Sequence, residues 1–413
     1  MKRNLFLFLL LLAMNPYGVS AGNETKNEPY KYPSYLHQIQ GLLMEDHEAE
    51  WYTEQYVGWL DQALQKQKDE KAWLNCFLAK DYEMKHSQED IDCDSVYSVL
   101  LNLIDMYIPD TYVYYTCAYM GLNRGLQESH EYGRKAFDML PKKKSLFDYD
   151  TWVSFLKLFG EKEHSDFARE YYNSGLYSKE LIQVNLNELN CMEDDGIFVG
   201  NGDATIIPKW LIQDGMGKHR DKLLLCYSFM YNPDYCKRIY NELGIGDVPE
   251  IPEISDYEEK ERSIQHVIDE ISVRTGRKLY MSKYNADRCY LIWKEREALD
   301  DLGLVYQVSK DGEETDIFKE QERIFNNTDF SYLDKPLTKK SWLVDNRMSS
   351  SISSNFYQLM LIYKRLDDQV GYQKVLEMSE KAVKRIYDDT WREWAQETLD
   401  IIKNYEFDEE DDD

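Results

Sequence analysis

Positive charge is scarce in this chain: 49 Lys and Arg stand against 76 Asp and Glu over 413 residues, a formal net charge of −27. Such a surface repels phosphate backbones, which argues against nucleic acid as a partner. Metal and redox frameworks are lacking too. The seven cysteines, at 76, 93, 117, 191, 226, 236 and 289, form no C-x-x-C and match no metal-ligand spacing. Their odd number leaves at least one thiol free in an exported protein; one incidental disulfide is compatible with it, a disulfide scaffold is not. No H-E-x-x-H occurs, and the G-x-S-x-G at Gly18-Val19-Ser20-Ala21-Gly22 falls at the end of the leader pattern, not on a strand-to-helix turn. The glycines of Gly200-Asn201-Gly202-Asp203 lack the third position and the acidic partner of a dinucleotide fingerprint. No cofactor and no metal is therefore expected.

Long apolar runs are confined to residues 5–14, too few to span a bilayer comfortably. Lys2-Arg3 precede that run and the small residues Val19-Ser20-Ala21 follow it, the pattern of a secretory signal peptide cut after Ala21. An uncleaved anchor is the alternative. No Cys follows the apolar core, so lipid modification is not expected. The address implied is periplasmic or secreted, with a mature chain starting at Gly22.

What is present divides into a signal peptide (1–21), a polar linker (22–35), a helical array (36–190), an α/β module (191–335), C-terminal helices (336–405) and an acidic disordered tail (406–413). In the array, Tyr52, Tyr56, Trp59, Leu60 and Ala63 share one helical face. Tyr115, Ala118, Tyr119, Gly121, Tyr132, Ala136, Phe137 and Pro141 resemble a tetratricopeptide unit, and Trp152, Phe155, Gly160, Ala168 and Tyr171 a degraded second copy. Generic helical hairpins fit the same residues. The fold class is thus all-α plus α/β: a tetratricopeptide-like array, a central, mainly parallel Rossmann-like module, and a C-terminal helical hairpin.

Strands are expected at 197–200, 223–229, 278–282 and 304–308, with helices at 206–214, 233–243, 255–274 and 287–299 between them. Ser255 suits the N-cap of the third helix. The first strand, the turn Asn201-Gly202-Asp203, a short helix and the second strand make one βαβ unit. Open α/β sheets bind ligands beyond the carboxyl ends of their strands. Asn201, Gly202 and Asp203 are therefore candidate ligand-binding residues, joined by Ser228, Tyr231 and Asn232 after the second strand and by Ser282, Tyr284 and Asn285 after the third. Their hydroxyls, amides and rings suit carbohydrate better than phosphate. Asp203 also suits a helix cap, and both roles are compatible. Asp234, just after the second strand, is the nearest plausible candidate for a second carboxylate beside Asp203 in space. His219-Arg220-Asp221 precedes the second strand and resembles no triad; Arg220–Asp221 reads as a structural pair that orders the helix-to-strand loop.

Asn201-Gly202-Asp203, Pro208, Trp210, Gln213, Gly217 and Arg220-Asp221 resemble the signature N-G-D-N-D-T-x-P-x-W-x-x-Q…G-x-R-x-D. That signature marks uncharacterised exported Bacteroidetes proteins of tetratricopeptide type. It also marks the soluble C-terminal region of a membrane family similar to protein O-mannosyltransferases. Where the family has a second Asp, this chain has Thr205, and it lacks the transmembrane part that would hold a transferase site. The resemblance implies a fold and a periplasmic address. The function expected is a non-catalytic interaction protein that binds a protein partner or a glycan in the cell envelope. The alternative is an enzyme acting on glycans or glycoproteins at the crevice around Asp203.

Overall fold

The computed structural model describes residues 35–41, 45, 47–88, 91–122, 127–200, 202, 204–250, 257–283, 293, 298–309, 315–335 and 348–406. The signal segment, residues 22–34 of the linker, the Ser255 cap and residues 407–413 of the tail lie outside the described residues. The chain falls into two compact units, Met1–Asp148 and Tyr149–Asp413.

The first unit is helical: α1 (Ala49–Gln65), α2 (Glu70–His86), α3 (Cys93–Tyr107), α4 (Tyr112–Gly121), α5 (Gln127–Asp138) and the start of α6 (Leu146–Phe159). Polar caps set where several of these begin. Asp69, Asp92 and Thr111 each accept a hydrogen bond from a first-turn amide, those of Ala72, Ser95 and Tyr114, satisfying N–H groups the helix itself cannot pair. The aromatic face of α1 is buried as its spacing predicts, with Tyr52, Tyr56, Trp59, Leu60 and Ala63 packed in one core with Trp73 and Phe77 of α2.

The second unit holds the rest of α6, then α7 (His164–Ser174), α8 (Lys179–Cys191) and a five-stranded sheet. Its strands are β1 (Ile197–Gly200), β2 (Leu223–Cys226), β3 (Leu279–Ser282), β4 (Leu299–Asp301) and β5 (Val305–Val308), in the order β2-β1-β3-β5-β4. β1 pairs in parallel with β2 and β3, whereas β5 pairs antiparallel with both β3 and β4. The sheet is therefore mixed rather than mainly parallel. The cause is local. Gly303 sits at φ +92°, a left-handed backbone that suits glycine, its N–H donates to Asp301 Oδ1 at 2.8 Å, and Leu302 N donates to Val305 O at 3.0 Å. A tight turn of this kind folds 299–308 into a hairpin, so Leu299, expected to end a helix, starts a strand. Of the remainder of that expected helix, only Trp293 and Ala298 are described.

β2 is also shorter than expected. After Cys226 the chain tightens into a 3₁₀ turn, Tyr227–Tyr231, because the hydroxyls of Tyr227 and Tyr231 both bond the carboxylate of Glu261. Helices α9 (Ile207–Trp210), continued by a π turn over Leu211–Gly215, α10 (Pro233–Leu243) and α11 (Tyr257–Thr275) connect the parallel strands. Pro208 stands at the start of α9, where its missing N–H leaves nothing unpaired. Beyond β5 come α12 (Ile317–Asn327), α13 (Ser349–Ser354), α14 (Tyr357–Arg365), α15 (Gln369–Lys384) and α16 (Asp389–Asn404). Among the described residues, no helix is long and apolar enough to cross a membrane.

Candidate functional site

The carboxyl ends of β1, β2 and β3 lie along one edge of the sheet, since Gly200 pairs with Cys226 and Val199 with Met281. Gly202, Ser228, Tyr231, Asn232 and Ser282 follow or end those strands at that edge. Asn201, Asp203, Tyr284 and Asn285 lie outside the described residues. Gly202 is exposed at φ +76°, and its carbonyl accepts from the amides of Thr205 (3.4 Å) and Ile206 (3.2 Å). It is the pivot of the turn into α9.

The other described candidates are held by local structure. Asn232 caps α10: its side-chain oxygen accepts from Asp234 N at 2.9 Å and Tyr235 N at 3.1 Å. Tyr231 bonds Glu261, and Ser228, exposed, sits 3.3 Å from the Cys226 sulfur. Ser282 is fully buried and its hydroxyl donates to Glu188 Oε1 at 3.4 Å. Asp234 points into solvent, its side chain 86% exposed and 3.9 Å from Lys237.

Beneath this edge lies a polar cluster that the sequence reading missed. Lys209 of α9 is completely buried. Its ammonium donates to Asn185 Oδ1 at 2.5 Å, to the Thr205 carbonyl at 2.9 Å and to the carboxylate of Glu188, and it stands 4.0 Å from the centre of the Phe198 ring. Burial pushes its pKa down, opposed by the Glu188 charge. Asn185 completes the arrangement by donating to Leu181 O at 2.9 Å and Ala204 O at 3.0 Å. All three ammonium protons are thus spent on α8 and on the turn that precedes α9. Lys209 is a latch that fixes the Gly202 turn against α8; it has no proton left for chemistry at the edge. The sequence did hold a trace of it, a lysine inside the apolar run Ile206-Ile207-Pro208-Lys209-Trp210-Leu211 with Asn185 and Glu188 one turn apart on α8.

Glu188 also lines a small cleft of about 20 Å³, with Lys283 and Asn355 as its other polar neighbours. That is room for about one water molecule. Lys283 pairs with Asp301 through contacts of 2.8 and 2.9 Å, and burial lowers its pKa.

The signature residues after the turn have structural work. Gln213 donates to the carbonyls of His219 (2.7 Å) and Lys222 (2.8 Å), and Arg220 Nε returns a bond to Gln213 O at 3.0 Å. Asp221 accepts from Asp195 N at 3.3 Å and pairs with Lys222 at 3.2 Å. Arg220 and Asp221, expected to pair with each other, instead order the loop before β2 through separate partners, the Gln213 carbonyl and Lys222. Among the described residues, no group of three or more His, Cys, Asp or Glu could hold a metal, and the described cysteines, 76, 93, 117, 191, 226 and 236, are free thiols. Compared with known proteins, the chain matches no family model, no curated protein and no solved structure.

Proposed function

We propose that this chain is an exported, non-catalytic interaction protein of the bacterial cell envelope, and that it docks a protein segment of apolar and basic character on its last helix. The observation that carries this reading is the outer face of α16. Trp391, Trp394 and Ile401 recur there at helical spacing and are 53%, 52% and 66% exposed, and Tyr405, just past the helix end, is 40% exposed. Ala395 and Leu399 are buried on the adjoining face, about 100° round the helix. Two neighbouring exposed tryptophans, ring centres 6.2 Å apart at 82°, are the residue type that anchors protein interfaces. Charge selects the occupant. Glu393, Glu397 and Asp400 are exposed beside the stripe, and a chain of net charge −27 repels a second copy of itself. A partner segment that offers Lys or Arg around an apolar core meets both features. The helical parts read in the same proposal as tetratricopeptide-like and the sheet as Rossmann-like; the complete burial of Ala136 and Ala168, the small residues such helix crossings require, favours the first.

The test is calorimetric titration with two amphipathic helical peptides of equal hydrophobicity, one Leu/Lys and one Leu/Glu. The Leu/Lys peptide should bind at least about tenfold tighter, an advantage of about 1.4 kcal/mol, and the Trp391→Ala/Trp394→Ala variant should lose that binding at unchanged melting temperature. Equal binding of both peptides, or self-association that covers the stripe in sedimentation, would sink the proposal.

A further inference from the structure

A second cleft, at the opposite end of the parallel strands from the edge described above, has the size and chemistry of a small-molecule site. It is open to solvent and has a volume of about 550 Å³, within the range of roughly 300–1,000 Å³ usual for small ligands. Glu193, just before β1, and Lys278, just before β3, stand at one side, and the first turns of α12 at the other. Tyr280 and Gln307, paired across β3 and β5, form part of its lining.

We infer that this cleft binds a neutral carbohydrate, and that it does so independently of the α16 surface. Charge is the first argument. The lining carries three cations, Lys278, Lys319 and Arg323, and three carboxylates, Glu193, Asp316 and Glu320. Their formal charges cancel, within a chain of −27. Two pairs are already closed, Lys278 with Glu193 at 2.6 Å and Arg323 with Glu320 at 2.7 Å. A charged ligand would have to break them. An apolar ligand would strip water from six ionised groups without replacing its hydrogen bonds, which is costly. A polyol suits both constraints, because each hydroxyl donates to a carboxylate and accepts from an ammonium or guanidinium at once.

Rigidity is the second argument. Asp316 caps α12 through Lys319 N at 3.0 Å, Thr315 donates to Asp300 at 2.5 Å, Gln307 reaches Thr315 at 3.4 Å, and Arg323 holds the Cys191 carbonyl at 3.2 Å. Polar groups fixed before the ligand arrives lose little freedom on binding. Weak, oriented hydrogen bonds to a sugar depend on that economy.

The experiment is calorimetry and ligand-observed NMR on the full chain, with neutral hexoses, N-acetylhexosamines and their disaccharides, and with uronic acids and inorganic phosphate as charged comparisons. A neutral sugar should bind, its affinity changing less than about twofold between 50 and 500 mM NaCl, because no net charge is neutralised. Asp316→Asn, which keeps the helix cap, combined with Lys319→Ala, an exposed position, should weaken that binding about tenfold or more at unchanged melting temperature. The inference is overturned if no neutral sugar binds, if only uronic acid or phosphate binds with a steep salt dependence, or if sugar binding survives the double variant. Loss of sugar binding leaves the peptide titration on α16 untouched, so the two proposals fail separately.

Discussion

Lys209 and His164 show how this protein accommodates ionisable groups inside its second unit. Lys209 is tolerated because each of its protons has an acceptor, so removing one partner should do more harm than removing both. Glu188→Gln leaves the ammonium facing a neutral amide in a dry site, and breaking a buried pair in this way costs about 3–5 kcal/mol. Lys209→Met with Glu188→Leu replaces the pair by apolar volume and should recover part of that loss, the remainder being the Asn185 oxygen and Thr205 carbonyl deprived of the ammonium. Urea melts of the two variants check it: equal destabilisation would mean the pair contributes nothing beyond the packing of its stems. His164 is the opposite case. It is 7% exposed, its Nε2 has no hydrogen-bond partner among the described residues, and Trp210 packs edge-on against it at 5.6 Å. Asp214 is 3.5 Å from Nδ1, yet burial, with Lys157 and Arg238 nearby, holds the imidazole well below its ordinary value of 6.5. The native state therefore keeps it neutral while the unfolded state protonates it. That contribution to stability is fully present above about pH 6.5 and is lost as pH falls from there toward the folded value, by up to about 1.4 kcal/mol per unit. His164→Phe should flatten the melting-temperature profile between pH 6.5 and 5 relative to wild type; an unchanged slope would show that other groups set it.

At the scale of elements, periodicity and punctuation in the sequence were enough where a segment is amphipathic or capped. The face of α1, the strand β1 and the span of α10 from Pro233 to Leu243 follow from spacing, from β-branched residues and from the Asn232-Pro233 start with Gly244 at φ 65° as its stop. Reading failed where tertiary partners decide. Tyr227 looks like strand until Glu261, more than thirty residues away, takes its hydroxyl. Leu299 looks like the end of a helix until Gly303 turns the chain back. The candidate site was legible only as an edge: the sequence placed polar residues at strand ends, but Asn232 and Ser282 prove to be tied to α10 and to Glu188. Lys209, which organises the turn, was hidden because a lysine in an apolar run has no pattern of its own. Gly303 offers the sharpest test at this scale. A Cβ there would collide with the Phe356 ring as well as sit in a left-handed backbone. The backbone alone costs about 1–2 kcal/mol, and the overlap adds about 1–3 kcal/mol if Phe356 must move. Gly303→Ala should lower the melting temperature by several degrees, whereas Gly276→Ala, at φ 71° with nothing within 4 Å, should show the backbone cost alone. Equal losses would mean that the hairpin does not seat on Phe356.

For the whole molecule, the question is whether the C-terminal helices are an appendage or part of the second unit's core. Several contacts of different kinds cross from the sheet side to them. Phe356 is fully buried, 5.2 Å from Phe325 and 6.2 Å from Phe330, both on or just after α12. Tyr363 of α14 donates to Glu322 at 2.8 Å, Lys381 of α15 pairs with Asp334 at 2.8 Å, and Arg385 bonds the Lys335 carbonyl. The helices α13 to α16 bury apolar stripes of their own, Leu359, Met360, Val375, Met378, Ala382, Ala395 and Leu399, but a segment this short cannot bury them alone. Ending the chain after Lys335 should therefore uncover Phe325, Phe330 and the Gly303 turn together, and those are aromatic and backbone surfaces with no polar cover. The expected outcome is a fragment that binds a hydrophobic dye, melts without a cooperative transition and aggregates. The surface exposed ion pairs contribute little to this, about 0–1 kcal/mol each, so restoring charge on the truncated face should not rescue it. A soluble fragment ending at Lys335 with a single sharp thermal transition would show that the sheet and its helices are complete without α13 to α16, and that the stripe on α16 belongs to an independently folding arm.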